Sequence, residues 1–263
     1  CGLVHRRLAV IDVAQGKQPM QAAWNGITAT IVYNGEIYNC PELRHQLQQE
    51  GAVFQTTCDT EVVLQAYLHW GKACVQKLNG IFAFAIWEAE TKRLFLARDR
   101  IGVKPLFYAE VPDGLVFASE LKALLLHPQV PHEIDATGIA ELLLMGPGRT
   151  PGCGVFRTVR ELKPAQCGWY QDGSLSIECY WSLQAKPHTE TFPQTAEHVR
   201  YLVKDAITRQ LVSDVPIGTF LSGGLDSSII SSVASRVMQE KGLPLHTFSV
   251  DYKDNARYFQ KSH

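Results

Sequence analysis

The sequence lacks the features that identify membrane-spanning, disulfide-stabilised and zinc-binding proteins. No uninterrupted apolar stretch approaches the roughly 20 residues that a membrane-spanning helix needs. The seven cysteines are odd in number and include no Cys-x-x-Cys pair, and the nine histidines form no His-x-x-x-His or Cys/His cluster. We therefore predict reduced thiols in a cytoplasmic protein, no membrane association and no metal ligands among the side chains.

The sequence also has no excess of charge of either sign. Its 25 Lys and Arg residues nearly balance its 26 Asp and Glu residues, for a formal net charge of −1. This balance excludes a strong long-range attraction to nucleic acid. The 263 residues, of which 46% are hydrophobic, suffice for one large domain or two ordinary ones.

A cysteine, Cys1, stands at the first position and is followed by Gly2. An N-terminal cysteine carries a thiol nucleophile and a free α-amine, whose ordinary pKa of about 7.7–8.0 lets it act as a base near neutral pH. Such a residue needs no separate histidine for its activation. By itself, however, a terminal cysteine is most often without function, so its meaning depends on the motifs that follow.

The first two-thirds of the chain predicts an α+β domain. β-Branched and aromatic residues between Gly, Asn and Pro turns predict strands at residues 8–11, 28–33, 80–87, 94–97 and 115–118. One helix is predicted after Pro41, with Leu43 and Leu47 on one face and Gly51 as its stop. A second is predicted over residues 60–70. Such sheets must cover each other or be covered by the helices.

The pattern changes near residue 181 and predicts a second domain. Residues 182–194 are rich in Pro, Thr and Lys and indicate a linker between a domain over 1–181 and an incomplete one over 195–263. An amphipathic helix over 195–213 is followed by a strand (215–221), a helix (227–241) and a strand (245–250). This βαβ unit predicts two parallel strands.

The turn inside that βαβ unit has the composition of a phosphate-binding loop. It reads Ser222-Gly223-Gly224-Leu225-Asp226-Ser227-Ser228, between an apolar strand and a helix. The glycines let backbone N–H groups approach an anion, and the start of the helix adds partial positive charge. The chain contains no Walker A motif, and Phe220 stands where a nucleophile elbow needs glycine. An ordinary glycine turn with a Ser/Asp cap is the alternative.

This loop resembles the pyrophosphate-binding loop of the ATP pyrophosphatase (PP-loop) enzymes. Its surroundings, Ser213-Asp214-Val215-Pro216-Ile217-Gly218 and Thr247-Phe248-Ser249-Val250, resemble the glutamine-hydrolysing asparagine synthetase family. The resemblance implies an α/β PP-loop domain after an N-terminal-nucleophile glutaminase domain, an αββα sandwich. It implies ATP with Mg²⁺ as a substrate complex and no tightly bound cofactor. The ATP-binding residues that it implies are Leu221, Ser222, Gly223, Gly224, Asp226, Ser227 and Val250.

The same family begins with a class II glutaminase, and its motifs occur here in order. Cys1-Gly2 resembles the nucleophile and Asn34-Gly35-Glu36 the oxyanion-hole motif. His5-Arg6-Arg7-Leu8 resembles the segment whose arginine binds the glutamine carboxylate, and Cys58-Asp59-Thr60-Glu61 the segment that binds its ammonium. The implied catalytic residues are Cys1, Asn34 and Gly35. The implied glutamine-binding residues are Arg7, Asn34, Gly35, Glu36 and Asp59.

These residue types suit glutamine chemistry independently of the resemblance. Arg7 offers a bidentate fork for a carboxylate, and Asp59 and Glu36 offer anions for an ammonium. Each also has an ordinary structural explanation: Arg7 as a solvated charge beside Asp12, Asn34-Gly35 as a hairpin turn, and Asp59 as a helix cap. Arg98-Asp99-Arg100 and Lys104 are predicted to form scaffold ion pairs without a chemical role.

The chain departs from the family in two places. The family has several tens of residues, including an Arg-Gly-Pro-Asp motif, between Cys-Gly and His-Arg-Arg-Leu, whereas Gly2 here runs straight into Leu3. We expect the sequence as written to omit this stretch, because its deletion would leave a gap in a sheet. The family's synthetase domain also continues well beyond Val250, so the chain as written is not expected to make asparagine by itself.

The predicted function is that of a ligase that uses glutamine, aspartate and ATP to make asparagine, with a homodimer as an option. One alternative is a related amidotransferase with another acceptor. The intact Cys1, Arg7, Asn34 and Asp59 argue against ring-closing relatives, and the loop at 222–228 argues against relatives with a sugar-phosphate domain. The other alternative is an inactive remnant that only binds glutamine or dimerises.

Overall fold

The computed structural model describes residues 1–8, 10–251 and 253. The chain divides into two compact units, one over Cys1–Ala185 and the other beginning at Lys186. Each unit has its own sheets and its own buried apolar clusters.

The first unit is built on a six-stranded antiparallel sheet. Its strands lie in the order β1-β2-β3-β4-β8-β9. Their bounds are β1 Met20–Trp24, β2 Ile27–Ile37, β3 Gly80–Glu88, β4 Arg93–Arg98, β8 Gln166–Gln171 and β9 Ser174–Cys179. Side chains alternate between the two faces, and both faces of the central strands are apolar, so both must be covered.

Helices cover one face of this sheet. They are α1 (Cys40–Gln49), α2 (Asp59–Trp70) and α3 (Cys74–Lys77), with a 3-10 turn over Gly71–Ala73. Leu43 and Leu47 of α1 and the buried side of α2 pack on Ile31, Phe84 and Phe95 of the sheet. The predicted helices are thus confirmed, whereas α3 and the 3-10 turn were not predicted.

A smaller sheet covers the opposite face. Its strands, in the order β6-β5-β7, are β5 Phe107–Val111, β6 Gly114–Ala118 and β7 Val159–Glu161. Leu106, Tyr108, Leu115 and Phe117 pack against the six-stranded sheet. Short α4 (Leu121–Leu124) lies on the outer side of the small sheet, and α5 (Ala136–Leu144) follows it in sequence. The expected αββα layering of an α+β domain is confirmed.

The second unit contains the predicted βαβ arrangement. Helix α6 (Phe192–Arg209) precedes β10 (Gly218–Phe220), α7 (Leu225–Glu240) and β11 (His246–Phe248). The two strands are parallel, with Thr219 opposite Thr247, as predicted. Leu211, Ala234 and Met238 form a small buried cluster. The unit therefore has the start of an α/β fold.

Several predicted element boundaries in the second unit were wrong. Helix α6 begins at Phe192, inside the predicted linker, because Pro193 lies in its first turn, where a missing N–H costs nothing, and the Gln194 side chain accepts the Thr191 N–H at 2.9 Å. The strand predicted over 215–221 is shorter and contains only Gly218–Phe220. The strand predicted over 245–250 is likewise limited to His246–Phe248.

The strand predicted at residues 8–11 is absent among the described positions 8, 10 and 11. Strand β6, at the edge of the small sheet, pairs only with β5 in the described part of the chain. A strand exists only where a neighbour takes up its backbone hydrogen bonds. Instead, the Arg7 guanidinium donates to the backbone carbonyls of Ile11 and Asp12 and holds the segment in a turn.

Candidate active site

A cavity of about 820 Å³ in the first unit brings most of the predicted glutaminase residues together. Arg7, Asn34, Gly35, Glu36 and Asp59 all line it. Its apolar wall comes from the sheet face and from β6, through Val32, Ala83, Leu106, Leu115 and Phe117. The predicted residues thus reach one surface from three separate segments of the chain, namely the segment around Arg7, strand β2 and the start of α2.

Cys1 is the one predicted glutaminase residue that does not line this cavity. Its neighbour Gly2 does, and Cys1 itself is exposed. The predicted nucleophile therefore lies beside a residue of the cavity wall, and no hydrogen bond joins its thiol to another described residue. The other predicted glutaminase residues lie together on the cavity wall, whereas Cys1 does not.

Asn34 and Gly35 lie inside strand β2, not in a hairpin turn. They pair with Ala83 and Phe82 of β3. A Cβ at position 35 would overlap the Ile81 carbonyl oxygen and lie 2.8 Å from the Phe82 Cα, so only glycine fits between these strands. Within the described residues, the Asn34 amide makes no side-chain hydrogen bond. It is therefore available to a ligand in the cavity.

Asp59 is the first residue of α2 and is only 7% exposed. The residue at the N-cap position is Cys58, and Asp59 instead binds strand β2: its Oδ2 accepts the Tyr33 hydroxyl at 2.8 Å and the Ile37 N–H at 3.4 Å. Burial raises the pKa of the Asp59 carboxyl, and these donors oppose the increase. The carboxylate is thus largely removed from water, and a bound cation would offset the free-energy cost of burying its charge.

Glu36 is a second acidic group on the cavity wall. Burial raises the pKa of its carboxyl, the positive charge of Lys104 opposes this, and Asp59 adds to it. Lys104 also lines the cavity. Two carboxyl groups, the half-buried Glu36 and the buried Asp59, therefore lie on the wall of a cavity that Arg7 and Lys104 also line, and a cationic ligand group beside these carboxyls would offset their desolvation.

The loop that carries Lys104 is held by the two residues before it. Asp99 accepts the backbone N–H groups of residues 101–104 at 2.6–3.1 Å, and Arg98 donates to the carbonyls of Gly102, Lys104 and Leu162. Arg98 pairs with Glu161 at 3.1 Å, both being 7% exposed. The predicted scaffold ion pair is thus confirmed for Arg98 alone, and Asp99 acts as a loop cap.

Arg7 is half-buried and binds backbone rather than a carboxylate. Its guanidinium donates to the carbonyls of Asp12, at 2.9 Å, and Ile11. The Asp12 carboxylate accepts N–H groups of Gln15 and Thr57 and the Thr57 hydroxyl, and these hydrogen bonds, first of all that from the Thr57 N–H, lower its pKa. Arg7 therefore reaches the cavity wall from a turn that is itself tied to the segment before α2.

The second predicted site lies in the other unit, at residues 222–228. Gly223 has a φ of +84°, which a side chain disfavours, and Gly224 is the N-cap of α7. The Ser222 and Ser227 hydroxyls lie 3.0 Å apart, and the Ser227 and Ser228 hydroxyls donate to the Gly224 carbonyl. The loop is exposed, and the first N–H groups of α7 have no partner within the helix. It can receive an anion.

The remaining predicted nucleotide residues flank this loop. Leu221 donates its N–H to the Phe248 carbonyl at 2.8 Å and accepts the Ser249 hydroxyl at 2.6 Å. Asp226 lies in the first turn of α7, and Val250 follows β11 and is 76% exposed. The ends of both parallel strands therefore meet at the loop, which is where ligands bind in open α/β sheets.

Comparison with known families supplies the decisive observation. Residues 1–181, the larger part of the chain, match the family model described as glutamine amidotransferase domain. The chain belongs to the glutamine amidotransferase domain family. Residues 198–262 match the family model described as asparagine synthase.

Curated relatives match nearly the whole chain, across both of these regions. Asparagine synthetase [glutamine-hydrolyzing] 3 of Bacillus subtilis (strain 168) is 49% identical over 259 residues, covering 98% of the chain and 42% of the relative. Asparagine synthetase [glutamine-hydrolyzing] 1 of the same organism is 38% identical over 256 residues, covering 97% and 39%. The chain therefore spans about two-fifths of the length of these relatives.

Among solved structures, the amidotransferase is similar to glutamine phosphoribosylpyrophosphate amidotransferase from B. subtilis, determined with ADP and GMP. The sequence identity is 18% and the TM-score is 0.44, over 94% of this chain and 51% of that one. In the described part of this chain, no three His, Cys, Asp or Glu side chains are grouped so as to hold a metal ion. None of its described helices has the length and apolar character of a membrane span.

Three cavity residues of the amidotransferase domain were not predicted from the sequence. Gln18, Tyr33 and Thr60 all line the cavity, and hydrogen bonds link them to one another or to Asp59. Tyr33 directly precedes Asn34 and Thr60 directly follows Asp59, so proximity to a motif was the only available signal. Gln18 carried no signal, because its place opposite Tyr33 depends on the pairing of β1 with β2.

Proposed function

We propose that the amidotransferase domain hydrolyses glutamine to glutamate and ammonia, with Cys1 as the nucleophile. One observation carries the proposal: the cavity places a guanidinium, two carboxyl groups and an unbonded amide around one space. Glutamine has one group complementary to each of these, namely a carboxylate, an ammonium and an amide carbonyl.

The binding of glutamine follows from these charges. Arg7 is assigned to the α-carboxylate, for which a guanidinium is the best-matched donor. Asp59 and Glu36 are assigned to the α-ammonium, whose charge offsets the desolvation of both carboxyl groups. The Asn34 side-chain amide and the Gly35 N–H are assigned to the oxygen of the scissile amide, where each donor contributes about 10²–10³-fold in rate.

The reaction proceeds through a thioester. The Cys1 α-amine takes the thiol proton, and the sulfur bonds to the amide carbon as its carbonyl electrons move to oxygen. The C–N bond then breaks, the proton goes to the leaving nitrogen, and ammonia departs. Water adds to the resulting thioester, the C–S bond breaks, and glutamate and the free thiol are released.

For the whole protein we propose glutamine-dependent asparagine synthesis. Its ATP-dependent part, which begins with α6 after the linker, would adenylate the aspartate β-carboxyl, and ammonia would displace AMP. Supporting this are the asparagine synthase match over 198–262 and the exposed Ser222–Ser228 loop. Mg²⁺ would arrive with the ATP phosphates, and no tightly bound cofactor is needed. A cytoplasmic location and a homodimer belong to the same proposal.

A second candidate is a domain that binds glutamine without hydrolysing it. It is favoured by the position of Cys1, which is exposed and outside the cavity lining. In that case Arg7 and Asp59 would still hold the amino acid, but no thioester would form. The two candidates differ only in the reactivity of one thiol.

The deciding experiment treats the chain with a diazoketone analogue of glutamine and measures glutamate release in parallel. We expect one adduct on Cys1, protected by glutamine, and glutamate release that Cys1→Ala abolishes. Cys179→Ala is the matched control, because Cys179 is also an exposed thiol but lies on β9, away from the cavity lining. Glutamine turnover that survives Cys1→Ala would contradict the nucleophile, and glutamine binding without turnover or adduct would support the second candidate.

A further inference from the structure

The hydrogen bond between Tyr33 and Asp59 has no place in the chemistry described above. Tyr33 is 4% exposed, and its hydroxyl donates to Asp59 Oδ2 at 2.8 Å. Within the described residues, Asp59 has no salt bridge, so a neutral hydroxyl and backbone N–H groups are its donors. A buried carboxylate without a cation depends on such donors to remain ionised.

Gln18 fixes the backbone at the same point. Met20 pairs with Ile31 at the start of β1, so position 18 lies opposite Tyr33 in the continued register. Here the side-chain amide of Gln18 makes the two hydrogen bonds that the backbone of a paired strand residue would make. Its Oε1 accepts the Tyr33 N–H at 2.6 Å and its Nε2 donates to the Tyr33 carbonyl at 3.0 Å. The same Nε2 lies 3.3 Å from the Thr60 hydroxyl, beside Asp59.

These contacts join three segments of the glutamine cavity. Gln18 precedes β1, Tyr33 stands immediately before the Asn34-Gly35 donors in β2, and Asp59 opens α2. The chain of hydrogen bonds therefore links the proposed oxyanion donors to the proposed ammonium site. No assigned substrate contact accounts for either Gln18 or Tyr33.

We infer that Tyr33 and Gln18 are positioning residues of the glutamine site. Tyr33 orients the Asp59 carboxylate toward the substrate ammonium. Gln18 holds the backbone of Tyr33 so that the next two residues, Asn34 and Gly35, face the scissile amide. This inference rests on the proposed glutaminase function. It assigns the two residues separable effects, because one acts on substrate binding and the other on the oxyanion.

The electrostatic surroundings of Asp59 allow a pH readout. The groups that face it are Tyr33 and Glu36 on β2, Cys40 on α1, and Cys58 next to it in sequence. These four are neutral or negative. Arg44 on α1 donates to the Cys58 carbonyl at 3.4 Å, and the cations Arg7 and Lys104 line the same cavity as Asp59. Removing the Tyr33 hydroxyl removes a donor to the ionised form, so the pKa of Asp59 must rise further.

The test compares Tyr33→Phe with Tyr67→Phe. Tyr67 is also buried and donates its hydroxyl to a buried carboxylate, Glu88, at 2.7 Å, but it does not line the cavity. We expect Tyr33→Phe to raise KM for glutamine roughly tenfold or more with little change in kcat. The acid limb of the kcat/KM pH profile of Tyr33→Phe should move to higher pH. Tyr67→Phe should change neither, although both variants lose a similar buried hydrogen bond.

Gln18→Met should affect kcat more than KM, the opposite of Tyr33→Phe. It keeps the length of the side chain but removes both hydrogen bonds to Tyr33, so kcat should fall by roughly tenfold or more while KM changes less. A kcat equal to that of the wild type would overturn the role of Gln18. NMR titration of a ¹³C-labelled Asp59 carboxyl gives a readout that does not require turnover, and the pKa should be higher in Tyr33→Phe.

The results of these experiments distinguish a failure of the positioning roles from a failure of the proposed glutaminase function. If the wild type neither binds nor hydrolyses glutamine, the proposed function fails and the positioning roles fall with it. If the wild type is active but Tyr33→Phe keeps its KM, pH profile and Asp59 pKa, the function stands and the role of Tyr33 is overturned. An equal rise of KM in Tyr67→Phe would also overturn it, because the effect would then be a general loss of stability.

Discussion

Replacing Gly35 with alanine tests whether the proposed oxyanion donors depend on the close approach of β2 and β3. The added methyl group would overlap the Ile81 carbonyl oxygen and lie 2.8 Å from the Phe82 Cα. Both atoms belong to the backbone of a central strand, so neither can move aside as the tip of a flexible side chain would. The strands must separate locally, and the Asn34 amide must move with them.

The magnitude follows from this steric conflict. Overpacking against side chains costs about 1–3 kcal/mol, and a conflict with backbone belongs at the upper end. For a domain of this size, about 3 kcal/mol corresponds to a fall in Tm of roughly 6–12 °C. Displacing the Gly35 N–H and the Asn34 amide should lower kcat for glutamine hydrolysis by about 10²-fold or more, since that is the usual contribution of one oxyanion donor.

Gly168→Ala provides the matched control. A Cβ at position 168, in β8, would overlap the Ser176 carbonyl oxygen and lie 3.0 Å from the Ile177 Cα, almost the same conflict between two other strands. Position 168 does not line the cavity. The assay is glutamate release under steady-state conditions, with Tm measured by calorimetry. Both variants should lose stability, and only Gly35→Ala should lose kcat beyond that loss.

Two results would refute this reasoning. Full activity of Gly35→Ala at a wild-type Tm would show that the strands tolerate the methyl group. A loss of kcat in Gly168→Ala equal to that in Gly35→Ala, at matched loss of Tm, would show that activity follows stability and not the geometry of the oxyanion donors.

Two further predictions concern the charges of the cavity and the exposed loop. In Lys104→Met, the positive charge that opposes the raised pKa of Glu36 is lost, so the acid limb of the kcat/KM pH profile should move to higher pH. An unchanged acid limb would contradict this. Ser227→Ala removes the hydroxyl that lies 3.0 Å from Ser222 Oγ. ATP binding, measured by calorimetry, should weaken by roughly tenfold while glutamate release stays constant. An ATP affinity equal to that of the wild type would show that Ser227 does not belong to the nucleotide site.

Most of the fold was predictable because its signals are local. The β-branched and aromatic content of residues 80–87 predicts β3, and the helical spacing around Leu64 predicts α2. The predictions went wrong where the outcome depends on distant partners. Residues 8–11 have strand composition, but the described positions 8, 10 and 11 pair with no strand. Residues 192–194 have linker composition but are held in α6 by a hydrogen bond from Thr191 to Gln194.

The candidate site was predictable to the extent that its residues form motifs. Arg7, Asn34, Gly35, Glu36 and Asp59 were assigned because the motifs that contain them resemble those of the family, and the structure brings them to one cavity. Their roles in glutamine chemistry remain a proposal. Cys1 was assigned in the same way but is exposed and lies outside the cavity lining, although residues 2–8, which follow it, line the cavity.

The sequence alone determined the order of the two parts, the types of their elements and the residue types of both sites, because periodicity and short motifs are properties of neighbouring residues. Only the tertiary structure decided that the Gln18 side chain hydrogen-bonds the Tyr33 backbone, that the Tyr33 hydroxyl donates to Asp59, and that position 35 has no room for a side chain. Each of these contacts joins residues from different strands or helices. Their energies depend on the register and packing of β1, β2, β3 and α2, which no local pattern specifies.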